Sequence, residues 1–119
     1  MKILVVENSL PVRERLLALL AQSGRYEGIG CTASSAVLML GESPQPAALL
    51  VDVRLNGTNG FQLLKDLRAL GFTTPVVMLS SSSDAQYPLH AEALGANAFL
   101  CKTADFEKII PTLDRLLTS

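Results

Sequence analysis

The chain has 119 residues, of which 49% are hydrophobic and 5% aromatic. That fits one domain with an aliphatic core, able to bury roughly two-thirds of its unfolded surface without a disulfide or metal staple. A formal charge of −1, an isoelectric point near 5.7 and thinly spread Lys and Arg weigh against direct nucleic-acid binding and a polybasic membrane patch. No apolar run approaches the ~18 residues of a spanning helix. Met1-Lys2 passes straight into Ile3-Leu4-Val5-Val6 without a secretory pattern, so a cytoplasmic location is expected.

Taken in chain order, apolar runs alternate with helical periodicity five times, as in βαβ units around a parallel sheet. The strands are expected at residues 2–7, 27–31, 48–52, 76–80 and 98–101. Their apolar stretches are continuous rather than alternating, so helices should cover both faces of the sheet. Helix one is expected from Pro11, a residue suited to a first turn, to Ser23. It carries a stripe of Val12, Leu16, Leu17, Leu20 and Ala21 and stops at Gly24. Helix two, around Ser34 to Gly41, is short, with Pro44 and Pro46 after it. The third opens near Asn59-Gly60 and carries Phe61, Leu64, Leu67 and Leu70 before Gly71. Because a residue before proline is disfavoured in the helical region, Tyr87-Pro88 puts the start of helix four near Pro88. Helix five carries Phe106, Ile109, Ile110, Leu113, Leu116 and Leu117, and Pro111 should bend or split its first turns.

Cys31 and Cys101 have no CxxC or CxxH neighbours, which argues against a disulfide framework or zinc site. Both read as small buried strand residues, and Cys101 is expected to be inert although Lys102 adjoins it.

The chemistry-bearing residues gather at strand ends. Glu7-Asn8 ends the first apolar strand, Asp52 the third, Ser80 the fourth, and Lys102 the last. The carboxyl ends of parallel strands are where open sheets place their ligand crevice. An acid–amide pair, a lone Asp, a hydroxyl and a lysine in that order form a phosphoryl-acceptor set.

With Lys2-Ile3-Leu4-Val5-Val6-Glu7-Asn8, Leu49-Leu50-Val51-Asp52 with Gly60, Pro75-Val76-Val77-Met78-Leu79-Ser80, and Gly95-Ala96 through Lys102, the chain resembles the response-regulator receiver family over essentially its whole length. The resemblance implies a single receiver domain over residues 1–119. Its fold would be a flavodoxin-like α/β/α sandwich around a five-stranded doubly wound sheet of order 2-1-3-4-5. It also implies that Asp52 takes a phosphoryl group from a partner histidine as a labile acyl phosphate. Mg²⁺ would be held by Glu7, Asn8, Asp52 and the backbone carbonyl of Arg54. Ser80 and Lys102 would meet phosphoryl oxygens, and Phe99 would repack with signalling state. The implied partners are a histidine kinase or phosphotransfer protein and an output domain or effector. The face of helix four, strand five and helix five would carry the signal and could pair two copies. The domain is then a phosphoacceptor rather than an enzyme, at most catalysing its own phosphorylation and dephosphorylation.

Three residues depart from the family pattern. Asn8 stands where a second acid is usual, so one negative charge at the metal position is missing and Mg²⁺ affinity should fall, by about tenfold or more if the loss reaches ~1.4 kcal/mol. Asn56 and Thr103 replace frequent prolines. Bland readings stay open: Asp52 as a plain strand-end carboxylate, Glu7 as a solvated loop acid, Ser80 as one hydroxyl of a serine run, Lys102 as a solvated strand end, Phe99 as core, and His90 and Tyr87 as undistinguished helix residues. Two other functions remain. One is a degenerate receiver acting as a constitutive interaction module. The other is a small flavin-binding protein, disfavoured because Glu7-Asn8-Ser9-Leu10 is not a phosphate cradle.

Overall fold

A computed structural model describes residues 1–42, 45–55, 57–82 and 84–118; Pro44 and Asn56 therefore lie outside the described residues. Five parallel strands, β1 (Lys2–Val6), β2 (Glu27–Cys31), β3 (Ala48–Asp52), β4 (Val76–Ser80) and β5 (Ala98–Cys101), form one sheet in the order β2-β1-β3-β4-β5. This is the doubly wound flavodoxin-like arrangement. Five helices connect the strands: α1 (Leu10–Gln22), α2 (Ala33–Leu40), α3 (Gly60–Ala69), α4 (Gln86–Ala93) and α5 (Ile109–Leu117). A short hairpin pairs Arg54–Leu55 with Thr58–Asn59 between β3 and α3.

The continuous apolar strands sort their side chains alternately onto two cores. Leu4, Val6, Leu49, Val51, Val76 and Met78 pack under α2, α3 and α4 with Leu40, Leu64, Leu67 and Ala91. Ile3, Val5, Leu50, Val77 and Leu79 pack under α1 and α5 with Leu16, Leu20, Ile109 and Leu113. Each fully buried Leu or Ile stabilises the fold by about 1.5–3 kcal/mol through removal from water. Alternation under a double cover explains why no polar residue interrupts β3 before Asp52.

Several boundaries differ from expectation. Strand one stops at Val6, and Glu7 follows it as a buried loop residue. Helix α4 begins at Gln86, two residues before Pro88, so Tyr87 is helical. The Asp84 carboxylate accepts the Gln86 N–H at 2.9 Å and the Asp84 carbonyl accepts that of Tyr87. Pro88 is third in the helix, where an N–H would have no intrahelical partner. Pro111 occupies the same third place in α5, preceded by a 3₁₀ turn over Phe106–Lys108. The split at helix five is thus real, but no bond of the α5 ladder is lost to it. On the apolar stripes, Ala21 and Leu70 face solvent, while Leu63 is buried instead.

Candidate functional site

The parallel register decides which residues meet. Asp52 pairs with Leu79, Ser80 pairs with Cys101, and Val6 pairs with Val51. The residues just past these pairs therefore share the carboxyl edge of the sheet. The Lys102 N–H continues the ladder to the Ser80 carbonyl at 2.9 Å, and the Val53 N–H to that of Leu79 at 2.9 Å.

On this edge the Lys102 ammonium bridges two carboxylates. Its Nζ lies 2.7 Å from Asp52 Oδ2 and 2.8 Å from Glu7 Oε2. Asp52 and Glu7 are buried. The other Glu7 oxygen accepts the Ser9 N–H at 3.1 Å, fixing the carboxylate's aim. Oε2 is buried and lacks a hydrogen bond of good geometry despite its closeness to the ammonium. Burial pushes the Glu7 carboxyl above its usual range; the Lys102 and Ser9 contacts oppose the shift and the Asp52 charge adds to it. For Lys102 burial pulls downward, yet the two carboxylates outweigh it and the ammonium is held above its ordinary value.

Asn8 and Arg54 line the same open cavity of about 280 Å³ as Glu7, Asp52 and Lys102. The Glu7 and Asp52 carboxylates and the Asn8 amide are hard oxygen donors of the kind Mg²⁺ prefers, and Oε2 of Glu7 is an under-satisfied buried oxygen beside them. The residues fit the cation. Among the described residues no cluster of three His, Cys, Asp or Glu that could hold a metal occurs.

Ser80 is buried at the end of β4, its hydroxyl accepting the Ser82 N–H at 3.0 Å. Phe99 lies outside the cavity; it pairs with Met78 and is half-buried against the core under α2, α3 and α4. His90 is exposed, as expected, but its ring meets Phe61 edge-on at 4.6 Å, and Tyr87 does so at 5.4 Å. Cys31 is mostly buried, its thiol pushed up to about 11 by burial. Cys101 is a correction: its thiol contacts Thr103 Oγ1 at 3.4 Å at the surface, and that contact lowers its pKa.

Two supporting roles were not assigned from the sequence. Gly60 opens α3 directly against Asp52, and a Cβ there would collide with the Asp52 carbonyl oxygen and the Met78 methyl. A glycine eight residues past the central Asp, just where helical periodicity begins, was the available signal. Asp105 accepts the Cys101 N–H at 2.9 Å and so steadies the backbone that carries Lys102.

This fold and edge define a signalling receiver, and comparison with known proteins agrees. Residues 3–114 match the response regulator receiver domain family. The chain belongs to that family. It is 30% identical over 118 residues to the phosphate regulon transcriptional regulatory protein PhoB of Escherichia coli, covering 98% of this chain and 51% of that protein. The chain spans about half the length of the curated relatives it matches. The BeF3-activated N-terminal receiver domain of Klebsiella pneumoniae RstA superposes with a TM-score of 0.90 at 23% identity over the whole of both chains. The Thermotoga maritima response regulator TrrA in complex with Mg(2+)-BeF does so with 0.82 at 21% identity, covering 98% of each chain. Among the described residues, no helix is long and apolar enough to cross a membrane.

Proposed function

We propose that residues 1–119 work as one phosphoacceptor receiver unit, modified on Asp52 by a partner histidine kinase or phosphotransfer protein in a Mg²⁺-dependent reaction. The observation that carries this reading is the Lys102 ammonium set between Asp52 and Glu7 at the carboxyl edge of the sheet. Asp52 offers an oxygen to phosphorus as the phosphorus–nitrogen bond of the donor phosphohistidine breaks, the bonding pair leaving with the imidazole nitrogen. Glu7, Asn8, Asp52 and the Arg54 carbonyl would hold Mg²⁺. When bound, the cation neutralises charge on the transferring group. Lys102 exchanges its contact with Asp52 for one with a phosphoryl oxygen. The Ser80 hydroxyl donates to another, leaving its role as acceptor for Ser82.

The new charge draws on the backbone that follows β4 and β5. The output face is accordingly α4, β5 and α5, with Phe99 as the side chain whose packing responds. An attached output domain or a separate effector would read that face, and two copies could pair through it. The cytoplasm is the compartment such a reaction implies.

Incubating wild type and Asp52→Asn with acetyl phosphate, with and without Mg²⁺, tests the reading by intact mass. One added phosphoryl group on wild type, dependent on Mg²⁺ and absent from the variant, is expected; equal labelling of both proteins would refute it. A second reading, a constitutive interaction module, draws support from Asn8 and the two-acid site. It predicts that millimolar Mg²⁺ leaves wild-type amide resonances unmoved while Asn8→Asp responds.

A further inference from the structure

Beside the Asp52 cavity, and more than three times its volume, a groove of about 890 Å³ runs between the hairpin and α4. The phosphoacceptor reading uses the Arg54 carbonyl and counts α4 in its output face, but it gives the groove between them no ligand. Leu55, Phe61, Tyr87 and Leu89 supply much of its apolar surface, and Leu89 is 62% exposed. The titratable residues in the lining are Arg54, Tyr87 and His90; no Asp or Glu contributes among the described residues.

Both walls are set before anything binds. On one side the Arg54–Asn59 and Leu55–Thr58 pairs hold the hairpin, with Gly57 at φ +73° in the described part of its turn. Asn59 then caps α3 by accepting the Gln62 N–H at 2.9 Å. On the other side Asp84 anchors the first turn of α4. Phe61, in the first turn of α3, braces α4 through its edge contacts with Tyr87 and His90.

We propose that this groove is a binding site for a small aromatic carboxylate. Its volume lies within the range of roughly 300–1,000 Å³ typical of small-molecule sites, which are likewise mostly apolar with a few orienting polar groups. Aromatic and aliphatic walls select a flat apolar body. A permanent guanidinium with no acid in the lining selects a negative charge at one end, since a carboxylate matches the guanidinium fork. A cationic aromatic of the same shape gains the same apolar burial but faces Arg54.

Titration of the uniformly ¹⁵N-labelled chain with 2-naphthoate and, separately, 2-naphthylmethylammonium tests the site by amide shifts. Naphthoate should give saturable shifts confined to residues 53–61 and 86–90, with affinity at least tenfold above the ammonium compound. Leu89→Glu, at an exposed position where folding is not at risk, should weaken naphthoate at least tenfold. Leu38→Glu, equally exposed on α2, should leave it unchanged. Equal affinity for the two probes, shifts scattered over other surfaces, indifference to Leu89→Glu, or no shifts at millimolar naphthoate would each overturn the proposal. None of these outcomes depends on Asp52 being phosphorylated.

Discussion

A cation is clamped at each edge of the sheet, and the two clamps are built differently. At the carboxyl edge Lys102 faces two carboxylates. At the amino edge Arg68, reaching from α3, gives its guanidinium to neutral oxygens: the Phe72 and Thr74 carbonyls at 2.9 Å each, the Gly95 carbonyl at 2.9 Å, and Asn97 Oδ1 at 3.2 Å. The same Asn97 oxygen accepts the Val76 N–H, starting β4. Carbonyls of a fixed backbone cannot leave, so the arginine staples α3 to the loops before β4 and β5. Carboxylates can trade one cation for another, so the lysine contact is exchangeable. Bonding to rigid neutral acceptors gives permanence, and pairing with charged ones gives a site that can change state.

The sharpest way to break this comparison is Arg68→Met. It strands several carbonyls together and should cost about 3 kcal/mol or more, given ~1.5–3 kcal/mol for each hydrogen bond to a charged group. Urea unfolding reads the loss, while phosphoryl labelling per folded molecule should stay at the wild-type rate. Lys102→Met should cost less, about 1–2 kcal/mol at neutral pH. Breaking a fully buried pair costs more, but this side chain keeps 14% exposure and the carboxylates it leaves can hydrate or take up a proton. That cost should shrink at pH 5 relative to pH 8, because burial raises the Glu7 pKa and Glu7 takes up a proton first. Were Lys102→Met the more damaging of the two, the distinction between staple and exchangeable contact would fall.

Glu7 sharpens the comparison through pH. Its folded value is raised above the ordinary 4.5, chiefly by burial. The stability it contributes is therefore complete below 4.5 and is lost as pH rises through the higher folded value. The stability of wild type relative to Glu7→Gln should thus decline across that window, measured by urea midpoints from pH 4 to pH 8. A difference that grew with pH would mean that Lys102 outweighs burial at Glu7. The smallest effect concerns the two thiols. Iodoacetamide at neutral pH should modify Cys101, whose thiol pKa is lowered at the surface, well before Cys31, whose thiol is pushed up to about 11; mass spectrometry of the peptides reads the order.

Much of this was legible in the residues. All five strands were located within a residue; continuous apolar runs mark β1, β3 and β4 because burial on both faces leaves those strands almost no polar position to blur them. Asp52 and Lys102 stood out as charges at the ends of such runs. That Lys102 would touch Glu7 and Asp52 together was not legible, since it depends on side-chain reach across β1, β3, β4 and β5. Arg68 was invisible for a related reason: its acceptors are backbone carbonyls, which have no sequence signature. The helical Tyr87 was missed because the aversion of pre-proline residues to helix is outweighed by the Asp84 bonds to the Gln86 and Tyr87 N–H groups and the Phe61 contact. The thiol of Cys101 was misjudged because its contact with Thr103 in the loop after β5 has no sequence signature.

The place of β3 between β1 and β4 has a consequence for how the molecule opens. Leu49, Leu50 and Val51 are flanked by paired strands and covered on both faces, so their amide hydrogens should be among the last to exchange with solvent and should report global unfolding. Asp52 follows at once, at the end where the strand gives way to loop. The residue proposed to carry the chemical mark thus sits one position past the slowest-exchanging segment of the sheet. Its carboxylate lies at the crevice beside Lys102 while its backbone is fastened to what opens last.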